Sequence, residues 1–356
     1  MNDETPDISH RKADHIELAA KGDVGFEQTT TLFECVRLVH QALPELSTPA
    51  IDTSVELLGK KLRAPLVIAS MTGGVERAEA INRELAAVAE ARGYGFGLGS
   101  QRAMHLNAAT GPTYRVREVA PTALVLGNLG LVQAKQMSTA EIRALAADVG
   151  ADALCIHLNP AMEIVQPGGD RDFTGGVATL RRLTAELDLP VVAKETGCGL
   201  SVRAADQLKQ AGVRHVDVSG AGGTSWVAVE MHRARGEERE LGRAFREWGI
   251  PTAASVIWMA RAGFETVIAT GGIVTGVDVA KAIALGATAA GIARPILQAL
   301  TSGGRAAAEQ FLDRVEAELR ATMLLVGAGS LPALRSAPRI IVGELSFWLE
   351  QGSVDH

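Results

Sequence analysis

Two glycine-rich turns near the end of the chain have the composition of a phosphate-binding site. The first follows an apolar segment at Thr270-Gly271-Gly272, and the second ends a later apolar segment at residues 291–294 (Gly-Ile-Ala-Arg). Glycines allow backbone N–H groups to approach an anion, and the N-terminus of a following helix adds a favourable dipole. A single glycine pair often makes only a tight turn, but two such turns in succession favour a phosphorylated ligand.

Polar side chains also follow most of the other apolar segments. Lys194 ends one such segment, and a lysine in that position commonly supplies positive charge beside the ring of a flavin. The alternative for Lys194 is a structural ion pair with the neighbouring Glu195. Small polar groups suited to the edge of a flat ring stand at other segment ends, although each alone is more often a turn or cap residue: Ser70, Thr72, Ser100 and Asn128.

These side chains are carried by a regular alternation of strand and helix patterns. Short apolar segments are separated by helical patterns, one of which opens with a capping box from Ser138 to Glu141. Eight strands with intervening helices predict a TIM (β/α)8 barrel, with its binding residues at the carboxyl ends of the strands. The strand segments are residues 65–70, 95–99, 123–126, 153–157, 191–194, 215–218, 266–269 and 289–292.

No linker interrupts this alternation, so the sequence predicts a single barrel domain over residues 51–330. Residues 1–50 are expected to form a polar arm and a helix, at residues 30–43, that contribute to the substrate site, and residues 331–356 a C-terminal tail. A hairpin is expected at residues 55–63, with Gly59-Lys60 at its turn, and an amphipathic closing helix at residues 306–327. The long segment 222–249 is expected to cover the mouth of the barrel.

The composition argues against several other classes of protein. The 356 residues carry a formal net charge of −6 and no basic run, which argues against nucleic-acid binding. No uninterrupted apolar segment reaches about 18 residues, so no membrane span is predicted, and the polar N-terminus does not resemble a secretory signal. The three cysteines form no C-x-x-C pair, which indicates a cytoplasmic protein without a zinc site.

A series of runs in this sequence resembles, in the same order, the type 2 isopentenyl diphosphate isomerases, a family of flavin-dependent enzymes. The runs span roughly residues 10–295. The most specific are the Arg-Lys pair of the N-terminal arm and the run beginning His-Leu-Asn-Pro, whereas the Thr-Gly-Gly-Ile turn occurs in many barrels. The runs are RKADHI (11–16), SMTGG (70–74), GLGSQR (97–102), HLNPAMEIVQPGGDRDF (157–173), KETGCGLS (194–201), DVSGAGGTSW (217–226), VEMHRAR (229–235) and ATGGIVTGVDVAKAIALGA (269–287).

This resemblance implies an FMN cofactor at the strand ends and the conversion of isopentenyl diphosphate to dimethylallyl diphosphate. It implies reduced FMN, Mg²⁺ held by Glu163, and NADPH as the reductant. A single carboxylate suits Mg²⁺, which takes its remaining ligands from phosphate oxygens and water, and Asp170 is the alternative ligand. The residues that correspond to FMN contacts are Ser70, Met71, Thr72, Ser100, Asn128, Lys194, Ser219, Thr224, Gly271, Gly272 and Ala293.

The same resemblance implies a prenyl diphosphate as the substrate and a homo-oligomer of four or eight subunits. A diphosphate needs several cations, and arginine can bind it with two parallel hydrogen bonds. The basic pair near the N-terminus has a simpler alternative, a solvated tail. The substrate-binding residues would be Arg11, Lys12, His15, Arg102 and Asn159, and the catalytic residues Lys194, His157, Trp226 and Met162, with Trp226 and His15 shielding a cation formed by protonation of the alkene.

Two positions depart from the family motif H-L-N-x-x-Q-E-x-x-Q-P-E-G-D. Met162 stands in place of the glutamine, and Gly168 in place of the second glutamate. The glutamine is a candidate for the removal of a proton from C2 of the substrate, and a thioether cannot transfer a proton. Either the flavin or a water molecule handles both proton steps in this protein, or the activity is reduced or altered.

Two other functions remain open on the sequence. One is an FMN oxidoreductase acting on another prenyl diphosphate, although the S-N-H-G-G-R turn of hydroxy-acid oxidases and the cysteine loop of IMP dehydrogenases are absent. The other is a catalytically weakened binder of prenyl diphosphate and flavin, which Met162 favours.

Overall fold

The chain forms a closed barrel of eight parallel strands surrounded by helices, as the sequence predicts. A computed structural model describes the backbone of residues 8–352 and the side chains of residues 11–352. The strands in chain order are β1 (Val36–Leu38), β2 (Val55–Leu57), β3 (Lys60–Leu62), β4 (Leu66–Ile68), β5 (Gly95–Gly97), β6 (Leu124–Gly130), β7 (Ala153–Leu158), β8 (Val191–Glu195), β9 (His215–Asp217), β10 (Thr266–Thr270), β11 (Ala289–Ile292) and β12 (Arg339–Ile341).

The helices alternate with the barrel strands and cover their outer faces. They are α1 (Ile8–Lys21), α2 (Glu76–Arg92), α3 (Arg102–Leu106), α4 (Leu131–Gln136), α5 (Thr139–Asp148), α6 (Pro160–Glu163), α7 (Gly176–Glu186), α8 (Val202–Gln210), α9 (Trp226–Arg233), α10 (Gly236–Phe245), α11 (Thr252–Arg261), α12 (Gly276–Ala284), α13 (Arg294–Leu325), α14 (Leu331–Ser336) and α15 (Glu344–Gln351).

Strands β4 to β11 make up the barrel in sequence order, and β11 pairs with β4 to close it. Their apolar side chains are buried on both faces, which is the pattern of a parallel sheet covered by helices. The barrel interior is filled at one end by residues such as Val67, Leu124 and Cys155, together with Leu57 and Leu62 of the β2–β3 hairpin. The hairpin therefore closes the end of the barrel opposite to the carboxyl ends of the strands.

The predicted hairpin is confirmed, but its turn lies one residue earlier than expected. Leu58 and Gly59 connect the two strands, and both have positive φ angles, of 50° and 82°. Two successive left-handed residues are the geometry of a tight two-residue hairpin turn. Helix α13 is interrupted by non-helical backbone at Gly303 and Gly304, and the part that follows this break, ending at Leu325, corresponds to the closing helix predicted at residues 306–327.

The prediction of a helix at residues 30–43 is wrong. This segment contains a short 3-10 turn, Phe33–Cys35, followed by strand β1, which pairs antiparallel with β12 from the C-terminal region. The hydroxyl groups of Thr30 and Thr31 accept hydrogen bonds from nearby backbone N–H groups, which competes with helix formation. The apolar spacing of the segment fits a helix, but pairing with a distant strand overrides it.

The N-terminal arm is helical at α1, and the described part of the expected C-terminal tail contains α14, β12 and α15. Helix α1 packs with Ile16 and Ala20 in the main hydrophobic core. Its last carbonyl groups accept hydrogen bonds from Arg294 Nε at 3.0 Å and from Gln298 Nε2 at 3.3 Å. These contacts attach the N-terminal region to the rim of the barrel.

Among residues 8–352, no helix is both long enough and apolar enough to span a bilayer.

Candidate functional site

A cavity of about 430 Å³ opens at the carboxyl ends of the barrel strands. Every site residue predicted from the sequence lines this cavity, although the predicted residues come from segments spread over most of the chain. They are Arg11, Lys12, His15, Ser70, Met71, Thr72, Ser100, Arg102, Asn128, His157, Asn159, Met162, Glu163, Lys194, Ser219, Thr224, Trp226, Gly271, Gly272 and Ala293. Parallel strands end on the same rim of a barrel, which is why residues so far apart in sequence meet here.

One side of the cavity carries three cations. Arg11 and Lys12 are contributed by α1, and Arg102 by the first turn of α3. Arg11 is largely buried, its Nε atom has no hydrogen-bond partner among the described residues, and burial lowers its pKa. Two nearby carboxylates, Glu230 and Glu163, partly offset that effect. A buried guanidinium with an unused donor fits an anionic ligand at this point.

Lys12 is held in place by two acceptors. Its Nζ atom donates to the carbonyl oxygen of Ser100 at 3.0 Å and to the hydroxyl oxygen of Tyr114 at 2.6 Å. The Tyr114 hydroxyl in turn donates to the same carbonyl at 2.7 Å, and burial raises the pKa of Tyr114, so this phenol keeps its proton. Burial, assisted by the charges of Arg11 and Arg102, lowers the pKa of Lys12 to about 7. Lys12 is therefore poised to gain a proton when an anion binds.

His157 lies at the end of β7 and is neutral at physiological pH. Its Nδ1 atom is 2.7 Å from the amide oxygen of Asn128 on the adjacent strand. Since that oxygen can only accept, Nδ1 carries the proton and Nε2 is an acceptor. Burial, with the charges of Lys194, Lys12 and Arg102, lowers the pKa of His157 to about 4. His157 therefore adds no fixed positive charge to the cavity.

Glu163 ends the short helix α6 and is buried beneath the cations. Its Oε1 atom accepts a hydrogen bond from Asn159 Nδ2 at 2.8 Å, and its Oε2 atom accepts one from the backbone N–H of Asp170 at 2.9 Å. Gln166 Nε2 lies 3.3 Å from the same Oε2 atom. Each oxygen atom retains lone pairs, so this oriented carboxylate has the chemistry of a Mg²⁺ ligand. Within residues 8–352, no cluster of three or more His, Cys, Asp or Glu side chains forms a metal site.

Met162 lines the cavity beside these polar groups. Among the described residues, its sulfur atom accepts one weak hydrogen bond, from Asn159 Nδ2 at 3.9 Å. Two glutamines that the sequence analysis did not select also line the cavity, Gln133 and Gln166. The Nε2 atom of Gln133 donates to Asp170 Oδ2 at 3.0 Å. Gln133 follows a strand end, which is the signal that could have identified it.

The ion pair considered for Lys194 exists, but with a different partner. Lys194 Nζ lies 2.8 Å from Asp217 Oδ2 on the adjacent strand β9, and not against Glu195. The Glu195 carboxylate instead accepts backbone hydrogen bonds from Thr196, Gly197 and Cys198, and thereby shapes the turn after β8. Neighbouring residues on a strand point to opposite faces, so Glu195 cannot reach the ammonium group on the cavity side.

Two aromatic rings form another wall. His15 and Trp226 meet edge to face, with ring centroids 5.3 Å apart. His15 Nε2 lies 2.6 Å from Glu230 Oε1, and the other oxygen of this fully buried carboxylate accepts from Arg233 at 2.7 Å. Although burial raises the pKa of Glu230, the contacts with His15 and Arg233 lower it overall. Helix α1 is thus attached to α9, and the start of the 222–249 segment, at Gly222–Thr224 and Trp226, lines the cavity.

The glycine-rich turns also line the cavity. Gly271 and Gly272 have positive φ angles, of 109° and 70°, and a Cβ atom on Gly272 would lie 2.8 Å from the carbonyl oxygen of Gly222. Thr270, which is 6% exposed, has a buried hydroxyl without a hydrogen-bond partner among the described residues. Close glycine backbone and an unused hydroxyl at the cavity wall fit a bound phosphorylated cofactor such as FMN.

Comparison with known proteins gives a consistent result. The sequence matches the FMN-dependent dehydrogenase family over residues 6–163 and 159–340. It is 44% identical over 345 residues to the isopentenyl-diphosphate delta-isomerase of Methanothermobacter thermautotrophicus, covering 97% of this chain and 96% of the relative. It is also 44% identical to the enzyme of that name from Halobacterium salinarum, covering 96% of each chain.

Solved structures with the same fold include a mandelate oxidase variant with a monooxide FMN adduct. The two structures superpose with a TM-score of 0.64 at 20% sequence identity, over 92% of each chain. A mandelate oxidase with (S)-2-phenylpropionate gives the same TM-score at 20% identity, over 94% of this chain and 97% of the other. At this level of identity the likeness supports the fold and not the reaction.

Proposed function

Because this chain belongs to the FMN-dependent type 2 isopentenyl diphosphate isomerase family, we propose that it converts isopentenyl diphosphate to dimethylallyl diphosphate with reduced FMN and Mg²⁺. NADPH is the proposed reductant. The observation that supports this function best is that one cavity is lined both by glycine-rich turns and by a group of basic side chains. The glycine cradle at Gly271–Gly272 suits the FMN phosphate, and the cluster of Arg11, Lys12 and Arg102 suits a diphosphate.

The residues that would hold FMN lie on the strand ends around the cradle. Lys194 presents its ammonium group from β8, paired with Asp217, and the Thr270 hydroxyl, which has no partner among the described residues, is available to a ligand atom. When bound, reduced FMN supplies an acid and an electron-rich ring beside the substrate. The other proposed contacts are Ser70, Met71, Thr72, Ser100, Asn128, Ser219, Thr224 and Ala293.

The protein's own part in the reaction is to bind, orient and enclose the substrate. Arg11 and Arg102 bind the diphosphate, and Lys12 gains its full charge as the anion enters. Glu163, whose carboxylate is oriented by Asn159, is the residue that would hold Mg²⁺, and the ion would supply positive charge for the diphosphate. His15 and Trp226 form the wall beside the hydrocarbon part of the substrate and exclude water from it. An electron-rich ring at this wall also stabilises a carbocation formed on the substrate.

Met162 supports a second proposal. A thioether cannot transfer a proton, so an altered activity on another prenyl diphosphate, as an FMN-dependent oxidoreductase or a weakened binder, remains the competing function. His157 is a group at the cavity that can accept a proton, because its neutral ring presents Nε2 as an acceptor. The two functions differ in the product that they form.

Product analysis tests this choice. The purified protein is incubated anaerobically with FMN, NADPH, Mg²⁺ and isopentenyl diphosphate, and the products are hydrolysed and resolved as alcohols. We expect the alcohol of dimethylallyl diphosphate with no net consumption of NADPH beyond flavin reduction. Stoichiometric NADPH consumption with a saturated product would instead establish a reductase, and unchanged substrate would support the binder or an oxidoreductase that acts on another prenyl diphosphate.

The FMN cradle leads to a prediction for Gly272. Replacing Gly272 by Asp introduces a negative side chain into the phosphate region and forces a Cβ atom against Thr31 and the Gly222 carbonyl. FMN affinity should fall at least tenfold, about 1.4 kcal/mol, as measured by fluorescence titration of the apoprotein.

Gly59→Asp is the matched control, since Gly59 also has positive φ but has open space around it in the remote hairpin. Thr270→Val is a milder variant that removes only the hydroxyl group, and one lost hydrogen bond of about 1 kcal/mol should weaken FMN roughly fivefold. If both cavity variants bind FMN as the parent does, the phosphate assignment is incorrect.

The metal assignment leads to a prediction for Glu163. Glu163→Gln keeps the shape of the side chain and removes its charge, so substrate binding should lose its dependence on Mg²⁺ while FMN remains bound. Isothermal titration with and without Mg²⁺ measures this difference. A variant that responds to Mg²⁺ as the parent does would transfer the role to Asp170, whose backbone N–H contacts the same carboxylate.

Lys12 makes the affinity for the diphosphate depend on pH. The substrate-free protein releases the Lys12 proton near pH 7, so above that pH the proton must be taken up again when the anion binds. Kd for isopentenyl diphosphate should therefore rise, by up to about tenfold per pH unit, between pH 7 and 9. Lys12→Arg stays charged and should flatten this profile, whereas Lys21→Arg, at the end of the same helix, should not. An unchanged slope in Lys12→Arg would point to another titrating group.

The cytoplasmic location and the homo-oligomer of four or eight subunits remain predictions from the cysteine content and from the family.

A further inference from the structure

A buried ion pair lies directly behind the cavity wall. Lys194 on β8 and Asp217 on β9 are register partners in the barrel, and their Nζ and Oδ2 atoms are 2.8 Å apart. Their side chains are 7% and 6% exposed. Lys194 lines the cavity, whereas Asp217 does not, so the carboxylate contacts the site only through its partners.

The second oxygen of Asp217 supports another residue of the cavity. Its Oδ1 atom accepts a hydrogen bond from the backbone N–H of Ser219 at 3.2 Å. Ser219 has a positive φ of 36°, which a residue with a side chain rarely adopts without support from its surroundings. One buried carboxylate therefore orients both the ammonium group of Lys194 and the turn that carries Ser219.

We propose that Asp217 is a positioning residue that aims Lys194 at the flavin ring and balances its charge. The inference rests on the proposed binding of FMN. The electrostatic reason is that an unbalanced ammonium beside the ring would favour the electron-richer reduced flavin over the oxidised form. Pairing with a carboxylate at 2.8 Å makes Lys194 and Asp217 together a neutral unit. Lys194 then donates hydrogen bonds without strongly raising the reduction potential of FMN.

Removal of either charge should change the reduction potential of bound FMN, and the two changes should have opposite signs. Asp217→Asn leaves the ammonium uncompensated and keeps an amide oxygen that can still accept from the Ser219 N–H. The preference for reduced over oxidised FMN should rise at least tenfold, which is a rise of about 30 mV in the midpoint potential of a two-electron couple. Lys194→Gln leaves the carboxylate uncompensated, and the potential should fall by a similar amount.

The experiment is a double-mutant cycle on the FMN-loaded protein, with the midpoint potential measured by anaerobic spectroelectrochemistry. We expect the Lys194→Gln/Asp217→Asn protein to return to within about 10 mV of the parent, because its pair is again neutral. If the substitutions only loosened the site, the two single variants would not shift the midpoint potential in opposite directions, and their shifts would not cancel in the double variant. If Asp217→Asn does not fold, the double variant must still lie at least about 30 mV above Lys194→Gln.

Glu316→Gln is the matched control. Glu316 is a buried carboxylate paired with Arg63 at 2.6 Å and Arg320 at 3.1 Å, near the amino-terminal end of β4 and away from the cavity. This variant should leave the FMN potential unchanged. Single shifts in the same direction, or no shift in Asp217→Asn with FMN bound, would overturn the inference. A parent protein that binds no FMN would instead overturn the proposed function.

Discussion

Replacing Arg11 by Gln is expected to reduce kcat/KM for isopentenyl diphosphate at least 100-fold while leaving FMN affinity within about twofold. Arg11 is largely buried, forms no ion pair with any described residue, and has an Nε donor without a partner. A diphosphate would use this donor in charge-assisted hydrogen bonds, each contributing about 1.5–3 kcal/mol. Loss of about 2.7 kcal/mol corresponds to the 100-fold effect.

Steady-state kinetics with isopentenyl diphosphate and FMN titration of the same preparations measure this result. Lys21→Gln is the matched control, because Lys21 is an exposed cation at the end of the same helix and does not line the cavity. If Arg11→Gln and Lys21→Gln reduce activity equally, α1 contributes only general charge, and the alternative of a solvated basic pair is correct.

Replacing Met162 by Gln is expected to raise the turnover number at least tenfold without changing FMN affinity. Met162 lines the cavity at the position where the family motif has an amide, and its sulfur atom makes one weak contact. A positioned acid–base group typically contributes 10²–10⁴-fold to a rate. The neighbouring Asn159 amide already orients the Glu163 carboxylate, so it is not free to replace the missing group.

The Met162 comparison needs reducing, anaerobic conditions, so that flavin oxidation does not mask the effect. Met162→Leu is the matched control and should keep the parental rate, since it preserves the apolar volume without adding a polar group. A fully active parent that gains nothing from Met162→Gln would mean that the amide is dispensable. The same proteins are also assayed for reduction of other prenyl diphosphates, and if neither isomerises isopentenyl diphosphate but the parent reduces another prenyl diphosphate, the fold serves a different reaction.

The polar residues of the cavity could be predicted because a parallel barrel has a simple geometry. Apolar segments of strand length alternate with helical patterns, and this local periodicity identifies where each strand ends. All strands of such a barrel end on one rim, so Ser70, Asn128, His157 and Lys194 had to meet without any knowledge of their contacts. The glycine turn at Gly271–Gly272 was recognisable because its positive φ angles require that residue type.

Pairing between distant residues could not be read from the same patterns. Lys194 contacts Asp217 through the register of β8 and β9, and His15 reaches Glu230 only because α1 packs against α9. Residues 30–43 have helical spacing, but Val36–Leu38 within this segment pair with β12 instead. Local periodicity specifies a helix or a strand from interactions a few residues apart, whereas these partners are chosen by how whole elements pack. That packing, and not the residue types, decides which carboxylate balances Lys194 and which helix carries Arg11 to the mouth of the barrel.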